Sequence, residues 1–117
     1  PVPGFRVNGE LTLGENIADN SGLEIAYKTY HRSLAGKPAP VIDGMSGDER
    51  FFYGFAQAYR SKVRDAALLT WIKSDPHSPD EFRVTGVVRN HPAFYSTFGV
   101  KPGDRMYLPP ERRVSIW

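Results

Sequence analysis

Glu15 and Asp19 stand four residues apart, which on a helix puts two carboxylates on one face about one turn from each other. So placed, they can face a cation. Position alone also gives them a plainer use, Glu15 closing a helix cap opened by Thr12 and Asp19 serving as a first-turn anion favoured by the helix dipole. His77 lies in Asp75-Pro76-His77-Ser78-Pro79, a segment that two prolines hold at the mouth of a helix, with Arg83 about one and a half turns further on. A loop fixed in this way is a candidate binding edge, although by composition a surface histidine and a salt-bridged arginine describe the same residues. The chain has three histidines, none paired at the i, i+3 or i, i+4 spacing of a helical metal site, and no cysteine, so no complete metal site can be read from it. His31 and His91 have nothing polar grouped with them in sequence, and Arg112 and Arg113 read as a solvated tail.

The elements that must position these groups are set out by proline and glycine. The longest proline-free windows, 4–37 and 41–75, are where long helices fit. Thr12-Leu13-Gly14-Glu15 is a capping box, and Leu23, Ala26, Tyr27, Tyr30 and Leu34 make one apolar stripe until Gly36 and Pro38, which predicts a helix over 13–34. Gly22 within it costs on the order of 1 kcal/mol against alanine, an expense that predicts close packing of another group there. Ser46-Gly47-Asp48-Glu49 is a second capping box, and the stripe Phe51, Phe52, Phe55, Tyr59 and Val63 predicts a helix buried on one face, core and not a cofactor box. A shorter helix over 66–72 must end before Asp75-Pro76. Ser78-Pro79-Asp80-Glu81 caps a helix through Val88, with a strand over 84–88 as the alternative, and a last helix over 93–98 opens at Pro92 and closes at Gly99. The fold class is mainly α with irregular connections.

A length of 117 residues is one domain's worth, and 40% hydrophobic with 24% charged residues excludes a chain disordered throughout. The net charge of +2 comes from scattered basic residues, so no nucleic-acid partner is expected. No apolar run reaches the ~18 to 20 residues that span a bilayer, and Pro1-Val2-Pro3-Gly4 is unlike a signal peptide.

Taken in order, these motifs resemble the C-terminal catalytic segment of the neprilysin and endothelin-converting-enzyme family of zinc metallopeptidases, whose catalytic domain is thermolysin-like. The resemblance spans nearly the whole chain: Val7-Asn8-Gly9 and Leu11-Thr12-Leu13, then Gly14-Glu15-Asn16-Ile17-Ala18-Asp19, Phe51-Phe52 with Ala56-Gln57, Asp75-Pro76-His77-Ser78-Pro79 with Phe82-Arg83, and a terminal tryptophan, Trp117. It implies that Glu15 is the third zinc ligand, that Asp19 orients a ligand histidine, that His77 stabilises the oxyanion and that Arg83 holds the substrate backbone. Asn20-Ser21-Gly22 departs from the family's Gly-Gly after the aspartate, and the cysteine of animal members near the end is missing, which points to a bacterial-type member.

The family's His-Glu-x-x-His helix, with two zinc ligands and the general base, and its amino-terminal lobe are not in this sequence. Residues 1–117 are therefore expected to be a fragment, the C-terminal part of a zinc endopeptidase's catalytic domain, inactive alone and weak in zinc binding. Its expected partners are peptide substrates and the remainder of the peptidase chain, or a second copy in a two-fold homodimer that covers Ile17, Leu23 and parts of the Phe51 to Tyr59 stripe. The family resemblance favours a periplasmic or secreted site, with the cytoplasm as the alternative. The rival reading is a non-catalytic helical interaction module that keeps the scaffold, Glu15 then being only a cap.

Overall fold

Asn8, not Thr12, starts the first helix. The computed structural model describes residues 2–116, so Trp117 and its part in the motif series lie outside the described residues. Helix α1 runs Gly9–Ser33, and the Asn8 side chain accepts from the amides of Glu10 and Leu11. With its cap filled four residues earlier, the Thr12-Glu15 box is not used: the buried Thr12 hydroxyl donates back to the Asn8 carbonyl at 3.0 Å, and Glu15 sits well inside the helix. An asparagine caps as well as a threonine, and the earlier cap adds a turn of helical hydrogen bonds.

Helix α2, Gly47–Ala58, opens on the Ser46-Glu49 capping box with both reciprocal bonds formed. It stops at Ala58, short of Val63, and residues 60–64 are non-helical before α3, Asp65–Ser74, which ends against Asp75-Pro76 as the proline requires. Helix α4, Asp80–Val88, takes up the segment for which a strand was the alternative, and its cap is Pro79, because the Ser78 hydroxyl is bonded elsewhere. Helix α5, Pro92–Phe98, has proline in its first turn and closes on Gly99 at φ 63°, a left-handed conformation in which glycine has no Cβ to clash. The tail carries one 3-10 turn, Pro110–Arg112.

Helix α1 packs on α4, and α2 packs on α4 and α5. Leu23, Phe52, Val87 and Val88 form the buried centre, with Tyr27, Phe51, Phe55 and Phe94 closing around it. Each such side chain contributes roughly 1.5 to 3 kcal/mol by leaving water. The aromatic stripe is core, as its spacing predicts. Leu23, expected among the uncovered apolar groups, is only 3% exposed, whereas Ile17 does face solvent. Gly22 has open space around it, nothing lying within 4 Å of where a Cβ would stand, so the expected close approach is not made by these residues.

Two histidines and an arginine also find partners that their sequence neighbourhoods hide. His31 Nε2 is 2.9 Å from Asp48 of α2, whose other oxygen accepts from the Tyr27 hydroxyl at 2.8 Å. His91 is buried, and its Nε2 lies 2.8 Å from a Glu24 oxygen, too poorly aligned for a hydrogen bond. Arg113 is no solvated tail residue: its guanidinium stacks 3.6 Å above the Tyr95 ring.

Candidate active site

Four of the residues singled out in the sequence meet where α1, α4 and the 75–79 loop converge. Arg83, from the first turns of α4, reaches α1 across 64 residues of sequence and grips Asp19 with a fork, Nε to Oδ2 and Nη2 to Oδ1, both at 2.7 Å. Asp19 is 9% exposed and Arg83 19%, so little water competes for this pair. The planar guanidinium matches the carboxylate in two places at once, which fixes the angle between the helices as well as their distance. The same hydrogen bond raises the arginine's pKa above its ordinary value. The Tyr59 ring lies 4.8 Å under the guanidinium, and its hydroxyl is 3.5 Å from Asp19. Burial, followed by the Asp19 charge, pushes the Tyr59 phenol up.

Glu15, one turn before Asp19, is treated differently. Its side chain is 41% exposed; one oxygen is 3.1 Å from His77 Nε2, and the other makes no hydrogen bond among the described residues. His77 is held from behind. Asp75 Oδ1 accepts from both the His77 amide and Nδ1, each at 2.8 Å, and these two bonds hold the Asp75 carboxyl below the usual carboxylate range. The ring therefore presents Nε2 to Glu15 in one fixed direction. The loop itself is pinned at two further points. The indole of Trp71 donates to the His77 carbonyl at 2.8 Å, and the buried Ser78 hydroxyl donates to Asn16 of α1 at 2.8 Å.

Glu15, Asp19, His77 and Arg83 are thus one cluster, while His31 and His91 lie outside it. Sequence reasoning missed Asp75, Asn16 and Tyr59. Asp75 had a legible signal, since aspartate two residues before a backbone amide is the ordinary Asx-turn pattern. Asn16 and Tyr59 had none for their part in the site, because Ser78 is distant in sequence from the one, and Asp19 and Arg83 from the other.

An exposed carboxylate with one oxygen uncommitted, on a rigid helix, has the chemistry of a zinc ligand. Glu15 fits, but alone: among the described residues no group of three His, Cys, Asp or Glu is placed to hold a metal ion. Comparison with known proteins settles the kinship. Residues 2–114 match the profile of Peptidase family M13. The chain belongs to that family. It is similar to neprilysin-3 of Drosophila melanogaster, 38% identical over 118 residues that are 97% of this chain and 15% of that protein. It is equally similar to human endothelin-converting enzyme 1, 38% identical over 99% of this chain and 15% of the relative. The crystal structure of Mycobacterium tuberculosis zinc metalloprotease 1 in complex with inhibitor superposes with a TM-score of 0.96 at 52% identity, over 98% of this chain and 18% of that one. The chain thus spans about one-sixth of the length of these M13 relatives.

Proposed function

We propose that these residues are the C-terminal part of the catalytic domain of an M13 zinc endopeptidase, and that they supply one metal ligand and the groups that bind the substrate's reacting carbonyl. The observation that carries this reading is the unequal use of the two α1 carboxylates: Asp19 is locked to Arg83 through both oxygens, while Glu15 meets only a histidine held in a fixed orientation and keeps one oxygen uncommitted. Glu15 is the zinc ligand. The other two ligands and the general base come from the rest of the peptidase, since His-Glu-x-x-His does not occur in these 117 residues. Zinc, when bound, acidifies water and polarises the scissile carbonyl.

The remaining roles belong to this chain's side chains. Asp19 keeps on Oδ2 a lone pair that neither Arg83 nor Tyr59 uses, and with it accepts from the ring N–H of a ligand histidine. His77, backed by Asp75, donates from Nε2 to the oxygen that becomes negative when the peptide carbonyl is attacked. Arg83 retains Nη1, whose N–H groups serve a substrate carbonyl. The open side of α1, where Ile25 is 58% exposed and Gly22 has empty space beside it, is where the rest of the catalytic domain packs. On its own the chain is then inactive and binds zinc weakly.

Two substitutions in the full-length enzyme test the assignment. Glu15→Gln is expected to lose metal. His77→Phe is expected to keep metal and to lower turnover about a hundredfold to a thousandfold, because an oxyanion donor acts mainly in the transition state. Metal analysis together with steady-state kinetics separates the two. Zinc lost by His77→Phe and kept by Glu15→Gln would reverse the roles.

A further inference from the structure

Val114 is an unremarked tail residue in the sequence, yet asparagine side chains hold both of its backbone polar groups. Its carbonyl accepts from Asn20 Nδ2 at 3.2 Å, and its amide donates to Asn90 Oδ1 at 2.9 Å. Asn20 belongs to α1 and follows Asp19 directly, and Asn90 lies just past the end of α4, with its side-chain Nδ2 donating to the Gly86 carbonyl at 3.0 Å. One stretch of tail therefore ties together the two helices that carry Asp19 and Arg83.

The tail is stiff enough to transmit that tie. Arg113 Nε donates to the Leu108 carbonyl at 2.8 Å while its guanidinium lies on Tyr95. The Tyr95 hydroxyl in turn accepts from the Leu108 amide at 3.1 Å and donates to the Arg89 carbonyl at 2.7 Å. Arg89 completes the brace by donating to the Tyr107 carbonyl at 3.1 Å.

Helix geometry shows what such a tie resists. At about 100° per residue, the anchors of α1 nearest Glu15, namely Thr12, Asn16, Asp19 and Leu23, share an arc of only about 60°, whereas Glu24, Tyr27 and His31, which meet His91 and Asp48, lie further round the helix but about two and a half to four and a half turns along it. Glu15 lies about 40° beyond one edge of this arc, and Asn20 about 40° beyond the other. Anchors crowded into one arc oppose rolling of the helix about its axis poorly, because their lever arms nearly coincide. Asn20 is the tether nearest Glu15 on the opposite flank, where its lever arm differs from theirs. We propose that residues 107–114 are a strap, and that Asn20 is a positioning residue which, held by that strap, sets the roll of α1 and with it the reach of Glu15. This inference rests on the reading of Glu15 as a zinc ligand.

The test uses the full-length enzyme and two readouts: the rate of zinc release to a chelator well below the unfolding temperature, and hydrogen exchange of α1 amides in the metal-free protein. Asn20→Asp keeps the size but turns a donor into a carboxylate facing a carbonyl. It is expected to speed zinc release about three- to tenfold, the fold-change of one net hydrogen bond, and to loosen the α1 amides of residues 15–24. A core substitution, Phe98→Leu, controls for general destabilisation: it is expected to lower the melting temperature and leave zinc release unchanged. Unchanged release and exchange in Asn20→Asp, or equal acceleration by Phe98→Leu, overturns the strap. Glu15→Gln in the same assay keeps the two ideas apart. If it retains zinc, the ligand reading fails, and the exchange measurement on metal-free protein still decides whether Asn20 holds α1.

Discussion

The two sides of α1 are built to opposite standards. On the inner side Leu23 is 3% exposed and Asp19 9%, each with a fixed partner, whereas on the outer side Glu15 and Ile25 are 41% and 58% exposed and Gly22 has no neighbour. The same helix therefore carries a carboxylate that works as a girder and, one turn earlier, a carboxylate left available. The difference teaches that the availability of Glu15 depends on the immobility of Asp19. The ligand role proposed for Glu15 requires a backbone that cannot shift, and the Asp19-Arg83 fork supplies that fixity without spending Glu15.

The contrast can be broken most severely from the inner side. Leu23→Ala is expected to cost about 3 to 4 kcal/mol in denaturant unfolding, because the cavity is walled by Phe52 and Val87 and cannot fully collapse, while Ile25→Ala should cost a few tenths. Equal losses would mean that the outer side is not open. Next comes the fork: Asp19→Asn leaves a mostly buried guanidinium without its anion and should cost about 2 to 3 kcal/mol, against less than about 0.5 for Glu15→Gln in the same measurement. A smaller change sharpens the contrast with the opposite sign. Gly22→Ala in this chain should stabilise by about 0.8 kcal/mol, since alanine is the better helix former and its methyl meets nothing. In the full-length enzyme the same methyl should cost stability if another element packs there.

The gentlest effect is a slope with pH. Burial lowers the His91 pKa below its ordinary value, with the Glu24 carboxylate opposing, so the folded chain holds this ring neutral where the unfolded chain would protonate it. The unfolded state then binds more protons, and stability rises with pH. The contribution is complete above about pH 6.5, the unfolded value, and is lost as pH falls toward the folded one. Urea unfolding between pH 7.5 and 5.5 should show this slope flattened in His91→Phe; an identical slope in both proteins would remove His91 as its source.

Much of this chain was legible because its punctuation is local. The Ser46-Glu49 box, the stop at Asp75-Pro76 and the Pro92 to Gly99 helix each follow from backbone constraints a few residues long, and the structure reproduces all three. The misread helix start has a local cause too, two good caps in competition, with Asn8 outranking Thr12 by adding helix ahead of it. Ser78 was misread for a different reason. Its hydroxyl suits a cap, but Asn16 lies within 2.8 Å in the fold and takes it. His31 and His91 had nothing beside them in sequence because Asp48 is 17 residues away from the one and Glu24 sits on another helix from the other.

The sequence by itself determined that the chain is helical, where most of its helices stop, and that Glu15 and Asp19 share a face, because helix periodicity and proline stereochemistry act over a few residues. Only the tertiary structure decided which of the two carboxylates is spent on both oxygens and which keeps one uncommitted. That choice depends on Arg83 arriving from 64 residues away with its fork aligned to Asp19, and on Asp75 turning His77 toward Glu15. Side-chain hydrogen bonds are satisfied within about 3 Å, and no spacing along the chain specifies which distant donor will come within that range.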